Sequence, residues 1–288
     1  MYLRSLSAFA LTVIIGATTP SIASAHPPVA LVMDANGNVF YSDLSRVWMI
    51  APNGQKSIAV PNVHSHELFL DSAGTLYGEH VWYEGDKTRK WGHRVWKRAQ
   101  DGNITDVIPP TEGFLTGYSF VRDRAGTMYW AERLVRSEIR KRRGSGPVST
   151  HSRGPFRDIR RMTSRADGTL YVMDNGDLRK ILPNGTVETI ALKIASRSVT
   201  RFNVGEQHAV MGLWLDSASN VYVAVYGAGE VKRVTPGGTV TRVARSRLPW
   251  SPTGGMTGPD GDMWILETSI TNAVRVRRIA RNGVSRIY

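Results

Sequence analysis

Between Val63 and Leu68 the chain reads VHSHEL. On an extended segment His64 and His66 share one face about 7 Å apart, within reach of a single divalent ion such as zinc or calcium, while Glu67 turns to the other side. A third ligand would come from His208, with His80 and His93 as the other candidates. The competing reading is a group of solvated or hydrogen-bonded histidines at loop ends. A bound metal would polarise a carbonyl or phosphoryl oxygen and lower the pKa of its water. Glu67 or His80 would serve as base and Tyr118 would donate a hydrogen bond. Arg160 and Arg161 would clamp an anionic group or stabilise an oxyanion.

These residues have to be positioned by a repeating frame. Six segments share the template D-x-x-G-x-apolar-aromatic: DANGNVF from Asp34, DSAGTLY from Asp71, DRAGTMY from Asp123, RADGTLY from Arg165, DSASNVY from Asp216 and GPDGDMW from Gly258. Their fourth positions, Gly37, Gly74, Gly126, Gly168, Ser219 and Gly261, are spaced 37, 52, 42, 51 and 42 residues apart. Each unit carries a second turn signature, such as Pro52-Asn53-Gly54 or Pro183-Asn184-Gly185. An alternating strand precedes that turn and a short β-branched strand follows it. Every unit is therefore two hairpins, or four short antiparallel strands. A period of about 40 to 50 residues with four strands per unit predicts an all-β fold, a six-bladed β-propeller. The blades fall near 28–61, 62–108, 114–151, 157–191, 207–244 and 252–288. Each of the first and last blades supplies its own four strands, so the ring is expected to close by side-chain packing.

The insertion from Val81 to Gly92 lengthens blade 2 between its second and third strands. In a four-stranded meander that loop and the connections between blades emerge on one face, which is where functional loops gather. The same face holds the starts of the inner strands. There the entrance pairs read Val29-Ala30, His66-Glu67, Tyr118-Ser119, Arg160-Arg161, Met211-Gly212 and Thr253-Gly254. Blades 2 to 4 supply polar and ionisable groups and the other three supply mostly small or apolar ones. From the insertion, Trp82, Tyr83, Glu84, Trp91 and His93 are expected to wall the mouth and contact a substrate. A carboxylate-rich column after the template aromatics, Asp43, His80, Glu132, Asp174 and Glu267, is expected to cap loop amides.

The template, followed by Asp43 or Asp174 three residues after the aromatic, resembles the NHL blade signature. Over about residues 28 to 288 the chain resembles the six-bladed propellers of the NHL-repeat and gluconolactonase-like (senescence-marker) superfamily. That resemblance implies the fold, and a range of activities from lactonases, esterases, amidating lyases and strictosidine-synthase-like proteins to noncatalytic binding modules. Gluconolactonase-like enzymes hold a divalent cation with a Glu, an Asn and an Asp at the channel mouth. The corresponding column here, Val29, His66, Tyr118, Arg160, Met211 and Thr253, does not reproduce that set. Amidating lyases hold zinc with three histidines at this column, of which only His66 matches, with Tyr118 and Arg160 as neighbours.

Residues 1–25 read as a secretory signal: Arg4, an apolar run from Ala8 to Ala17, and a small-residue site at Ala23-Ser24-Ala25, with cleavage after Ala25. No other apolar run approaches a membrane-spanning length, and with no Cys there is no disulfide framework. The expected location is periplasmic or extracellular, which argues against a nucleic-acid partner despite a formal charge of +13. Between Arg133 and Arg165 eleven Lys or Arg face only Glu138 and Asp158. Within that stretch Arg140, Lys141, Arg142 and Arg143 form a basic run expected on the outer rim, able to meet an anionic glycan or lipid surface. Two functions stand: a metal-assisted hydrolase or lyase acting on a small anionic substrate at the channel mouth, or a noncatalytic propeller that binds a ligand or protein.

Overall fold

The computed structural model describes residues 27–85, 87–133, 137–195 and 209–288; the expected leader and His208 lie outside them. Six antiparallel sheets, each built from strands consecutive in sequence, make a six-bladed propeller with no α-helix among the described residues. Blade 1 holds β1 (Leu31–Met33), β2 (Val39–Ser42), β3 (Arg46–Ile50) and β4 (Lys56–Pro61). Blade 2 holds β5 (Leu68–Leu70), β6 (Leu76–Tyr83), β7 (Trp91–Arg98) and β8 (Ile104–Glu112). Blade 3 has three regular strands, β9 (Thr127–Arg133), β10 (Ser137–Arg143) and β11 (Ser149–Ser152). Its inner edge is held by one bridge, Arg122 to Met128, and by the Tyr129 N–H donating to the Val121 carbonyl at 3.0 Å. Blade 4 runs β12 (Ile159–Ser164), β13 (Leu170–Asp174), β14 (Asp177–Ile181) and β15 (Val187–Ala191). Blade 5 runs β16 (Gly212–Leu215), β17 (Val221–Val225), β18 (Glu230–Val234) and β19 (Val240–Arg245). Blade 6 runs β20 (Trp250–Thr257), β21 (Met263–Ser269), β22 (Val274–Ile279) and β23 (Ser285–Ile287).

The template residues make one turn over and over. In blade 1 the Gly37 N–H donates to the Asp34 carbonyl at 3.1 Å, and the Asp34 carboxylate accepts the Asn36 and Asn38 amides, both at 2.9 Å. Gly37 sits at φ +79°, where a side chain would be strained. The aromatic then folds back on the same carboxylate. Tyr77, Tyr129 and Tyr222 donate their hydroxyls to Asp71, Asp123 and Asp216 at 3.1, 2.9 and 3.1 Å. Aspartate, turn residue and tyrosine thus form one hydrogen-bonded unit before the second strand of blades 2, 3 and 5, with Ser219 in the glycine position of blade 5.

Packing between blades closes the ring, as the phase of the repeats predicts. Leu31, Val39, Tyr41 and Ile50 of blade 1 share a buried cluster with Trp264, Leu266 and Val276 of blade 6, and the chain-end Tyr288 stacks on Trp264. At about 25 cal/mol per Å² of apolar surface removed from water, clusters of this kind hold adjacent blades together without strand exchange.

Candidate functional site

The inner edges of all six blades enclose a cavity of about 500 Å³ on the propeller axis. One side is polar, with Glu67, Ser119, Arg122, Arg160 and Arg161; the other is lined by Val29, Ala30, Met211, Gly212 and Gly255. This is the asymmetry expected from the entrance column, with Arg122 as an additional member.

Glu67 reaches the cavity because the chain before β5 is not a strand. Two neighbouring side chains of β6 hold this loop: His80 Nδ1, of the column after the template aromatics, accepts the His64 amide at 2.9 Å, and Glu79 Oε1 beside it accepts the amides of His66 and of Glu67, the latter at 3.1 Å. Captured by side chains of β6, residues 64–67 do not enter the ladder, which begins at Leu68. The expectation that His64 and His66 line one strand face is therefore corrected. Their rings meet edge to face with centroids 4.8 Å apart, and His66 Nδ1 lies 3.4 Å from Glu79 Oε1. Glu67, and not His66, lines the channel.

Burial raises the Glu67 pKa above the ordinary carboxylate value, and the neighbouring Glu79 adds to the rise; Arg161 and His66 oppose it. Across the channel, β12 carries a bulge between Ile159 and Arg161, and both Arg160 and Arg161 line the cavity. Arg160 is tied to Asp158 at 2.5 Å, and an Arg161 Nη lies 3.8 Å from the Met211 sulfur. The Arg122 guanidinium lies 4.9 Å from the Tyr118 ring centroid and 5.5 Å from that of Phe69, with its Nε buried and unpartnered. Arg122 was legible only as the residue before the blade-3 template. Nothing in the sequence showed that the irregular inner edge would turn it into the channel.

Other expected site residues sit elsewhere. Tyr118 stands behind Arg122 and packs edge to face on Phe120 at 5.3 Å; burial raises its pKa. His80 and His64 are held below the usual histidine pKa, in each case chiefly by burial. The blade 2 insertion is not a lid but a continuation of β6 and β7, paired out to Tyr83 opposite Trp91. Trp82 stacks on His80, and His93 Nδ1 bonds the Gly113 carbonyl at 2.8 Å. Exposed Tyr83, Trp91 and Phe114 stack in series, with Glu84 in the turn beyond them. None of these insertion residues lines the cavity. The capping column behaves as expected in part: Asp43 accepts the Ser45 and Arg46 amides and Asp174 those of Arg157 and Asp158, whereas Glu267 takes the Ser246 hydroxyl and the Arg275 and Arg277 guanidinium groups and Glu132 pairs with Arg140.

The donor set at the mouth does not suit a divalent cation. Its one carboxylate, Glu67, feels the Arg161 charge and shares the wall with two further guanidinium groups, Arg122 and Arg160, and His80 Nδ1 is already engaged. Among the described residues no three His, Asp or Glu converge to hold a metal. The same wall is well matched to an anion.

No family model and no curated protein matches the chain. Solved structures do. Virginiamycin B lyase from Staphylococcus aureus superposes with a TM-score of 0.54 at 14% identity, covering 91% of this chain and 84% of that one. A putative gluconolactonase superposes at 0.55 with 15% identity, covering 85% and 86%. Regucalcin from Agrobacterium tumefaciens, a calcium-binding protein, superposes at 0.52 with 17% identity, covering 84% and 82%. At these identities the likeness carries the fold alone. The chain has the six-bladed propeller fold of the gluconolactonase-like structures, which is the fold its repeats predict.

Proposed function

We propose that this propeller takes a small anionic substrate into its central channel and acts on it as a hydrolase or lyase, with Glu67 transferring the proton. The observation that supports this reading is the pairing of a half-buried carboxyl of raised pKa with an arginine wall in one cavity. Arg160 and Arg161 bind the anionic group and neutralise oxyanion charge as it develops. A carboxyl whose pKa lies nearer to neutrality exchanges protons more readily in both directions. In ester or lactone hydrolysis Glu67 takes a proton from the attacking water and returns it to the departing alkoxide, leaving an acid and an alcohol. Arg122, braced by Phe69 and Tyr118, places a third cation where a second negative group of the substrate would lie. No step uses a bound metal. With residues 1–25 read as a leader, we place the activity in the periplasm or outside the cell.

The arginine wall also favours a second reading, retention of an anion without chemistry. One experiment separates the two. Carboxylate-bearing lactones and esters are screened for binding by calorimetry and for turnover, with wild type beside Glu67→Gln. Turnover that disappears in Glu67→Gln while binding persists supports the enzyme. Binding without turnover by wild type supports the noncatalytic propeller. Absence of both removes the channel from consideration.

A further inference from the structure

A second basic concavity lies away from the channel, on the outer part of blade 3. Thr127, Tyr129, Lys141, Arg142, Arg143 and Ser149 surround a groove of about 250 Å³. Strand β10 presents Lys141 and Arg143 on the face of their β9 partners Tyr129 and Thr127, while Arg142, opposite Met128, lines the groove at the strand and sends its guanidinium to the other face near Gly117.

The nearby carboxylates are already committed. Asp123 accepts the Tyr129 hydroxyl and the Thr127 amide. Glu132 and Glu138 both bind Arg140, at 3.3 and 2.7 Å, and Glu138 also faces Arg153. Asp158 holds Arg160. Of the basic run, Arg140 is thus neutralised, whereas no described carboxylate lies within ion-pair distance of the next three residues. The Arg142 Nε is buried without a hydrogen-bond partner.

We infer that this groove is an anion-binding site separate from the channel, and that it takes sulfate or phosphate ester groups carried on an oligosaccharide. Guanidinium forks match such groups geometrically, and a lysine adds a point charge beside them. A flexible chain can lower one or two charged groups into a recess, whereas a planar layer of lipid headgroups meets chiefly its rim. The inference stands whether or not the channel is catalytic. It gives the protein a means of staying on a polyanionic matrix while the channel remains open.

A heparin hexasaccharide is the probe, titrated calorimetrically into the purified protein at 50 and 200 mM NaCl. Binding is expected to weaken about tenfold over that range, as for the neutralisation of about two charges. The Lys141→Gln/Arg142→Gln/Arg143→Gln variant is expected to lose at least tenfold in affinity. An equal charge change at exposed positions elsewhere, Lys87→Gln/Arg245→Gln/Arg247→Gln, should change it less than twofold. Arg143→Gln alone, at an exposed side chain, covers the case in which the triple variant misfolds, and should weaken binding about threefold. The inference is overturned if the hexasaccharide does not bind, if both triple variants lose affinity equally, or if Arg160→Gln/Arg161→Gln abolishes binding. Sedimentation with vesicles containing phosphatidylglycerol, in the absence of hexasaccharide binding, would reassign the groove to a membrane surface.

Discussion

The two halves of the channel wall are built on opposite principles. Around blades 5, 6 and 1 the inner strands approach backbone to backbone. A Cβ on Gly212 would lie 2.6 Å from the Thr253 carbonyl oxygen, and one on Gly254 would overlap the Val29 carbonyl. On the other half, the inner edge is loosened at blades 2 and 3. The chain before β5 is held by side chains instead of the ladder, and blade 3 is joined there through one bridge. Strand length and bulges do not distinguish the arcs, since β1 is as short as β5 and β20 is bulged like β12. Glycines make the first half tight and apolar. The unpaired inner edges of blades 2 and 3 give the second half room for its long polar side chains. A ring needs close contact somewhere to hold its radius, and long polar side chains need space, so the two requirements are met on different arcs.

Four measurements would sharpen or break this contrast. The largest effect is expected at Glu67. In Glu67→Gln, turnover of any substrate found should fall about 10²- to 10⁴-fold, the usual reach of a proton-transfer group, with thermal stability equal to or above wild type because a half-buried carboxyl has been neutralised. A large loss of stability would instead assign Glu67 to the frame. On the tight arc the order reverses: Gly254→Ala should destabilise by about 3 kcal/mol in urea unfolding, by overpacking against fixed backbone, while Ser119→Ala on the loose arc should stay within about 0.5 kcal/mol. Similar values at both sites would end the distinction.

A smaller effect concerns acid. His151 is buried against Tyr129, with no partner on either ring nitrogen, and burial, aided by Lys141, lowers its pKa to about 4. The unfolded chain therefore takes up this proton first. The contribution to stability is complete above about pH 6.5 and is lost as pH falls from there towards 4. Glu67 has the opposite sign, since a raised carboxyl pKa makes the folded state bind its proton more tightly and favours folding as pH falls. Comparing unfolding midpoints at pH 7 and 5 for wild type, His151→Phe and Glu67→Gln separates the two: His151→Phe should lose part of the acid destabilisation and Glu67→Gln should increase it. The smallest effect is expected from chelation. Dialysis against EDTA should leave ligand binding in the channel unchanged, and a loss restored by calcium or zinc would show that the mouth holds a cation after all.

Much of the fold was legible because the information is local. Asp71, Gly74 and Tyr77 lie within seven residues and satisfy one another, so the turn and the strand that follows it can be read six times over. The polarity of the entrance column was legible for the same reason. The orientation of individual side chains was not. Residues 64–67 look like an alternating strand, yet their amides are taken by Glu79 and His80, a contact between segments 12 to 16 residues apart. That capture moves Glu67 into the channel and turns His66 aside. Arg122 and the bulge at Arg160 follow the same logic, since each depends on what the neighbouring strand leaves unpaired.

By itself the sequence determined the number of blades, the turns that start them and the side of the channel that would be charged; the closure of the ring by packing came from the structure. The features read from the sequence follow from short-range patterns repeated at a fixed period. Only the tertiary structure decided that Glu67 and not His66, and Ser119 and not Tyr118, face the axis, that the aromatic insertion continues a hairpin away from the cavity, and that the basic run of β10 lines a recess. The physical reason is the two-residue period of a strand: one amide captured by a distant side chain shifts the alternation, and every functional group beyond it changes face.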